Sequence, residues 1–151
     1  MAQKNIHYYQ KDEKIIRAGE QEKMMFIILE GEVEVSLIDN DVHIVIGNLG
    51  KNDFFGEISL FSKKPRSATI KAISNVKAFC IESEMQLTMF LLRNPKFASK
   101  MVKILAQRLA RTDEILIGKI SELNRIKLRL EQADDTLKLN KGIIKDIINE
   151  K

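Results

Sequence analysis

Residues 53–69 read DFFGEISLFSKKPRSAT. The stretch leaves a strand at Phe54-Phe55 and turns at Gly56. Residues 57–61 suit one helical turn and are too few for a core helix. The chain then returns through Pro65 into a strand at 68–72. A glycine-led helical turn presents unpaired backbone N–H groups on one side, and such a terminus attracts anions. Arg66 lies where the chain doubles back over that turn, and a guanidinium grips a phosphate with two parallel hydrogen bonds. Ser67 adds a hydroxyl donor. Glu57 is an acceptor of the kind that ribose hydroxyls use. Together these groups describe a site for a sugar phosphate. Spacing alone supports a second reading equally well, in which Glu57 and Arg66 pair with each other to hold a loop.

Outward from this stretch, the first 82 residues read as strands. Residues 32–38, EVEVSLI, alternate: Val33, Val35 and Leu37 point one way, Glu32, Glu34 and Ser36 the other. An apolar run at 24–29 precedes them, and Glu30-Gly31 between the two marks a turn. A strand at 43–47 follows the polar Asp39-Asn40-Asp41 turn. Two more, at 68–72 and 76–81, are separated by Ile73-Ser74-Asn75. Gly19, Gly31, Gly47, Gly50 and Gly56 punctuate this half. Short strands with frequent turn glycines predict a barrel or sandwich.

The remainder reads as helix. Ser83 followed by Gln86 predicts a capping box. Asn94-Pro95 closes one helix and opens the next, with Asn94 as the N-cap. No proline follows. A heptad seam runs through Val102, Leu105, Leu109, Thr112, Leu116, Lys119, Leu123, Ile126, Leu130, Ala133, Leu137, Asn140, Ile144 and Ile147. Only Thr112, Lys119 and Asn140 interrupt its apolar character. A spacing of 3.5 residues held that long predicts a coiled coil, most simply with a second copy. Polar residues such as Lys119 and Asn140 within a seam fix its register.

Composition excludes several classes. The 151 residues hold one cysteine, Cys80, so neither a disulfide framework nor a Cys-rich zinc site is available. His7 and His43 have no ligand spacing around them. Cys80 lies in an apolar strand and reads as a buried, inert thiol. No nucleophile elbow or P-loop pattern occurs, and no catalytic or metal-binding set emerges. The start lacks a signal peptide's apolar core and no run of about 18 apolar residues appears, so no membrane association is expected and a cytoplasmic location is. Residues 1–95 carry 12 basic against 13 acidic side chains, and residues 96–151 carry 13 against 8. The basic excess is interleaved with acids such as Asp113, Glu114, Glu122 and Glu131, which describes a solvated helix face rather than a nucleic-acid stripe.

The segment FGEISL at 55–60 with PRSAT at 65–69 resembles the phosphate-binding cassette of the cyclic nucleotide-binding domain. That family includes catabolite activator proteins, protein kinase regulatory subunits and nucleotide-gated channels. IRAGE at 16–20, MFIILEGEVEV at 25–35 and LGKND at 49–53 extend the resemblance, which covers about residues 14 to 115. It implies an α+β fold: an antiparallel, jelly-roll-like β-roll over 1–94 with short flanking helices. A long dimerisation helix would occupy 95–151, its start capping the nucleotide site.

The resemblance also implies roles. Glu57 would accept from the ribose 2′-hydroxyl and Arg66 would neutralise the cyclic phosphate. Backbone N–H groups of Gly56, Glu57, Ile58 and Ser67 would complete the cradle, with Ser59 among the ligand-binding residues. AQRLARTDE at 106–114 resembles the start of the catabolite activator's dimer helix. Arg108, Thr112 and Asp113 would there meet the nucleotide, Thr112 at the adenine amino group and Asp113 from the partner chain. Asp113 stands where those relatives carry serine, and the interval from Glu57 to Arg66 is one residue shorter than theirs. No helix-turn-helix follows the long helix, so a chain ending here would act through a partner protein. The implied function is a non-catalytic, dimeric cyclic AMP sensor, with cyclic GMP or a cyclic dinucleotide as alternative ligands. The rival is a dimerisation module that binds nothing.

Overall fold

The computed structural model describes residues 5–39 and 42–149. They form eight strands: β1 (Ile6–Tyr9), β2 (Lys14–Ile16), β3 (Met25–Glu30), β4 (Val33–Asp39), β5 (Val42–Leu49), β6 (Phe54–Phe55), β7 (Thr69–Ala72) and β8 (Val76–Ile81). Three helices accompany them: α1 (Glu57–Ser62), α2 (Glu84–Arg93) and α3 (Pro95–Asn149). The chain divides into two compact units, Met1–Pro95 and Lys96–Lys151.

In the first unit the strands make two antiparallel four-stranded sheets, ordered β1-β8-β3-β6 and β2-β7-β4-β5. The core lies between them, because its buried residues come from both: Phe26, Ile28, Phe55, Val76, Ala78 and Cys80 from one sheet, Ile16, Val33, Ile70 and Ala72 from the other. Strand β8 shows how sequence places the core. Val76, Ala78 and Cys80 alternate inward, while Lys77 and Phe79 between them stay partly exposed. The jelly-roll-like α+β architecture expected from the sequence is the one observed.

Only β4 and β5 are neighbours both in the chain and in a sheet. Every other step between consecutive strands crosses from one sheet to the other. Glu30-Gly31 is thus a corner between sheets, and Gly31 turns it at φ 87°. A Cβ there would collide with the Asn75 carbonyl oxygen, at the matching corner between β7 and β8. The two corners are tied together: the Ser74 hydroxyl accepts from the Glu32 N–H at 2.9 Å, and the Ile73 N–H donates to the Glu32 carbonyl at 3.0 Å.

The alternation read in 32–38 holds at Val33 and fades further along. Beyond Ser36, which opposes Thr69, β4 has outrun β7 and keeps only β5 as neighbour. Leu37 is consequently exposed, whereas Ser36 is buried beside Thr69. Strand β5 is longer than expected, and strands β1 and β2 had no clear period to announce them.

Helix α2 starts at Ser83, whose hydroxyl accepts from the Gln86 N–H at 3.2 Å. The Gln86 side chain reaches back one residue further than in a capping box, accepting from the Glu82 N–H at 3.0 Å. Ser83→Ala should therefore cost about 1 kcal/mol of stability. Denaturant titration followed by circular dichroism would show it as a lower midpoint at unchanged slope. The Asn94 amide, expected to cap α3, donates back to the Phe90 carbonyl of α2 at 2.8 Å.

In the second unit α3 runs for 55 residues, about 80 Å at 1.5 Å per residue. Its seam residues from Val102 to Leu137 include Leu109, Leu116, Leu123 and Leu130, each more than half exposed. Ile144 and Ile147, the last two seam positions, have side chains outside the described set. No described helix is long and apolar enough to cross a membrane.

Candidate functional site

Arg66 is the centre of the site. Its side chain belongs to a residue only 4% exposed. The backbone is held first: the Arg66 N–H donates to the Glu20 carbonyl and its own carbonyl accepts from the Gly19 N–H, both at 2.8 Å. Gly19 makes that turn possible at φ 88°, which gives the IRAGE stretch its structural purpose.

One end of the guanidinium is then fixed. Nη1 donates to the Met24 carbonyl at 2.6 Å, the Ser59 hydroxyl at 2.6 Å and the Gly56 carbonyl at 3.1 Å. Ser59, buried in α1, donates in turn to the Gly56 carbonyl at 3.1 Å. The other edge of the same group is unsatisfied. Nε and Nη2 are both buried without a hydrogen-bond partner among the described residues. These two nitrogens form the fork that matches two oxygens of a phosphate or carboxylate. Buried donors left unpaired are costly, by about 1–3 kcal/mol each. A group satisfied on one edge and orphaned on the other is set up to receive an anion.

Burial pushes the Arg66 guanidinium below its ordinary value, and the carboxylates of Glu22, Glu20 and, more weakly, Glu57 act in the opposite sense. Arginine stays protonated under such a shift. Glu57 opens α1 and is itself buried. Gly56 precedes it at φ 83° and ψ 1°, and without a side chain it leaves the helix start uncapped by one. Gly56, Glu57, Ser59 and Arg66 are thereby gathered in one place. Ile58 is exposed on α1, and Ser67 is exposed beside Arg66. Arg108, Thr112 and Asp113 lie on α3, in the second unit, where the Thr112 hydroxyl donates to the Arg108 carbonyl at 2.9 Å.

Sequence reasoning missed the Met24 carbonyl, and Glu20 and Glu22 as charged neighbours of Arg66. A backbone acceptor has no residue identity to read, and the two glutamates are far from Arg66 in sequence. Cys80 is fully buried and burial pushes its thiol up to about 11, so it is neutral at physiological pH. His7 is exposed and stacks on Tyr9, and His43 is exposed on β5. No group of three metal-ligating side chains exists among the described residues. An open groove of about 340 Å³ between Tyr8, Tyr9, Glu30, Asn75 and Lys77 shares no residue with the cassette. Its cation is already engaged, since Lys77 lies 3.6 Å from Glu30.

A buried arginine with an unpaired Nε and Nη2 edge at a turn of the β-roll is chemically suited to an anion. The chain belongs to the cyclic nucleotide-binding domain family, whose model matches residues 6–91. Among relatives, a protein of Rhodopseudomonas palustris provisionally named a potassium channel protein is 34% identical over 102 residues, 68% of this chain and 24% of its own length. The cAMP-dependent protein kinase regulatory subunit of Mycosarcoma maydis is 39% identical over 67 residues, 44% of this chain and 13% of its own. This chain thus spans a quarter or less of either relative. Among solved structures, the Thermus thermophilus catabolite activator protein superposes with a TM-score of 0.64 at 23% identity, covering 74% of this chain and 52% of that one. A cAMP-bound PfPKA-R structure reaches 0.52 at 26% identity, over 56% of this chain and 30% of that one.

Proposed function

We propose that this chain is a dimeric sensor of a cyclic purine mononucleotide, cyclic AMP first, that signals through another protein. The buried Arg66 with its unpaired Nε and Nη2 carries the proposal. A cyclic phosphate supplies the two oxygens that this fork lacks. Glu57 accepts from the ribose 2′-hydroxyl, and the N–H groups of Gly56, Glu57, Ile58 and Ser67 line the phosphate, with the Ser67 hydroxyl as a further donor. Ser59 holds the arginine in place through its hydroxyl. The choice of cyclic AMP follows relatives that are named for it.

In this reading α3 supplies the base contacts, Arg108, Thr112 and the partner's Asp113, and joins two chains through its exposed seam. The nucleotide then bridges β-roll and helix, so binding biases the helix pair through its differential affinity for two arrangements. Titration calorimetry with cyclic AMP, cyclic GMP and cyclic di-AMP tests the ligand. Saturable heat with cyclic AMP at one site per chain is expected, and no heat with any of the three would refute the sensor. Thr112→Ala should weaken cyclic AMP by about 1 kcal/mol, or about fivefold, for one lost hydrogen bond. Unchanged affinity in that variant removes α3 from the site. Light scattering should return twice the monomer mass of 17.3 kDa.

A further inference from the structure

Helix α3 carries more than a stripe of exposed leucines. With Leu109, Leu116, Leu123 and Leu130 at position a of the heptad, residues 108, 115, 122 and 129 fall at g and residues 113, 120, 127 and 134 at e. In a parallel, in-register pair each g residue meets the e residue five positions later on the other chain. The four meetings are Arg108 with Asp113, Ile115 with Ile120, Glu122 with Lys127 and Arg129 with Asp134. Three are opposite charges. The fourth joins two isoleucines that are about half exposed on the single helix.

Other registers lose this match. A slip of one heptad sets Glu122 against Asp134 and Arg129 against Lys141 on one side of the seam, and Arg129 against Lys127 on the other. It also leaves both isoleucines facing charges. Like charges so placed repel, and e and g residues decide partner and orientation in this way. Intrahelical pairs engage the same side chains: Lys127 lies 3.9 Å from Glu131, and an ammonium has donors to spare. Glu122 already takes Lys119 at 2.8 Å and Asp134 takes Lys138 at 2.6 Å, yet a carboxylate has room for a second donor. The Lys119–Glu122 pair also draws the one lysine of the seam outward to its rim.

We propose that the exposed seam of α3 takes a second copy of this chain in parallel and in register, fixed by the pairs Arg108–Asp113, Glu122–Lys127 and Arg129–Asp134 and by the Ile115–Ile120 contact. The proposal rests on the dimer reading above and goes beyond it by naming the groups that set orientation and register. It gives Arg108 and Asp113 a place in the interface, so nucleotide and partner chain draw on the same two side chains.

The test uses the full chain and two doubly substituted variants. The first carries Glu122→Lys with Arg129→Glu, and the second Lys127→Glu with Asp134→Lys. Each opposes like charges at both pairs in its homodimer, and the mixture restores all of them. Sedimentation equilibrium should show the dimer dissociation constant of each variant alone raised by about 30-fold or more over wild type. An equimolar mixture should return to the wild-type range as a heterodimer. Circular dichroism checks that the helix persists. A dimeric wild type with variants that dimerise equally well, or a mixture that does not recover, overturns the register. A monomeric wild type overturns the dimer itself. Separately, Asn140→Cys at position d should cross-link to its own copy under mild oxidation, with Cys80 buried and unreactive. A dimer that gives no such cross-link overturns the parallel arrangement.

Discussion

Arg66→Ala should lower cyclic AMP affinity by about 2–5 kcal/mol, which is about 30- to 5000-fold. The range follows from leaving a doubly charge-assisted contact unmade inside a site with little access to water. Stability should change far less than affinity. The substitution deletes three hydrogen bonds of Nη1, and it also removes a buried charge whose other edge is unsatisfied. The two effects oppose one another. Arg66→Lys separates charge from shape: an ammonium restores the charge without the fork, so part of the loss should remain. The alternative reading, in which Glu57 and Arg66 only latch a loop, predicts the reverse pattern of lost stability and unchanged titration. Wild-type affinity in Arg66→Ala would sink the site.

Much of this was legible because the cassette packs several constraints into 17 residues. Gly56 must turn at positive φ, Glu57 must open a short helix, and Arg66 must return over both. Those demands act on side-chain type at fixed spacing, and residue types are what a sequence displays. The sheet connectivity was not legible for the opposite reason. A turn glycine such as Gly31 reports that the chain bends and says nothing about whether it bends within a sheet or across to another. The collision partner that requires glycine there is the Asn75 carbonyl, a long-range neighbour with no local signature.

The environment of Arg66 divides along the same line. Its helix-side partners, Gly56 and Ser59, lie inside the cassette. Met24, Glu20 and Glu22 reach it only through the fold. The seam of α3 was readable from periodicity, since a stripe at 3.5-residue spacing is a property of the helix alone. Alternation marked Leu37 for the same side as Val33, and its exposure was not readable, because burial also depends on how far the neighbouring strand β7 extends.

Gly56→Ala should damage stability and binding together, and Gly19→Ala shows why. Both glycines sit at nearly the same positive φ, 83° and 88°. A Cβ at Gly19 meets nothing within 4 Å, so alanine there costs only the left-handed backbone, about 1–2 kcal/mol. A Cβ at Gly56 would lie 2.7 Å from Arg66 Nη1 and 2.7 Å from the Met24 carbonyl oxygen. Both contacts have to be relieved. The carbonyl belongs to the residue that leads into β3 and is itself a hydrogen-bond partner of Nη1, so backbone displacement strains a core strand. The guanidinium can retreat only by giving up Met24, Ser59 and Gly56, which swings its free fork away from any phosphate. Gly56→Ala should therefore cost about 2–4 kcal/mol in unfolding free energy. In calorimetry it should weaken cyclic AMP by about tenfold or more, as a misplaced charge-assisted contact does. Gly19→Ala should show the smaller stability loss with affinity close to wild type. If the two variants match in both measurements, the contact between Gly56 and Arg66 does not position the arginine, and the fork is aimed by the Gly19–Glu20 turn alone.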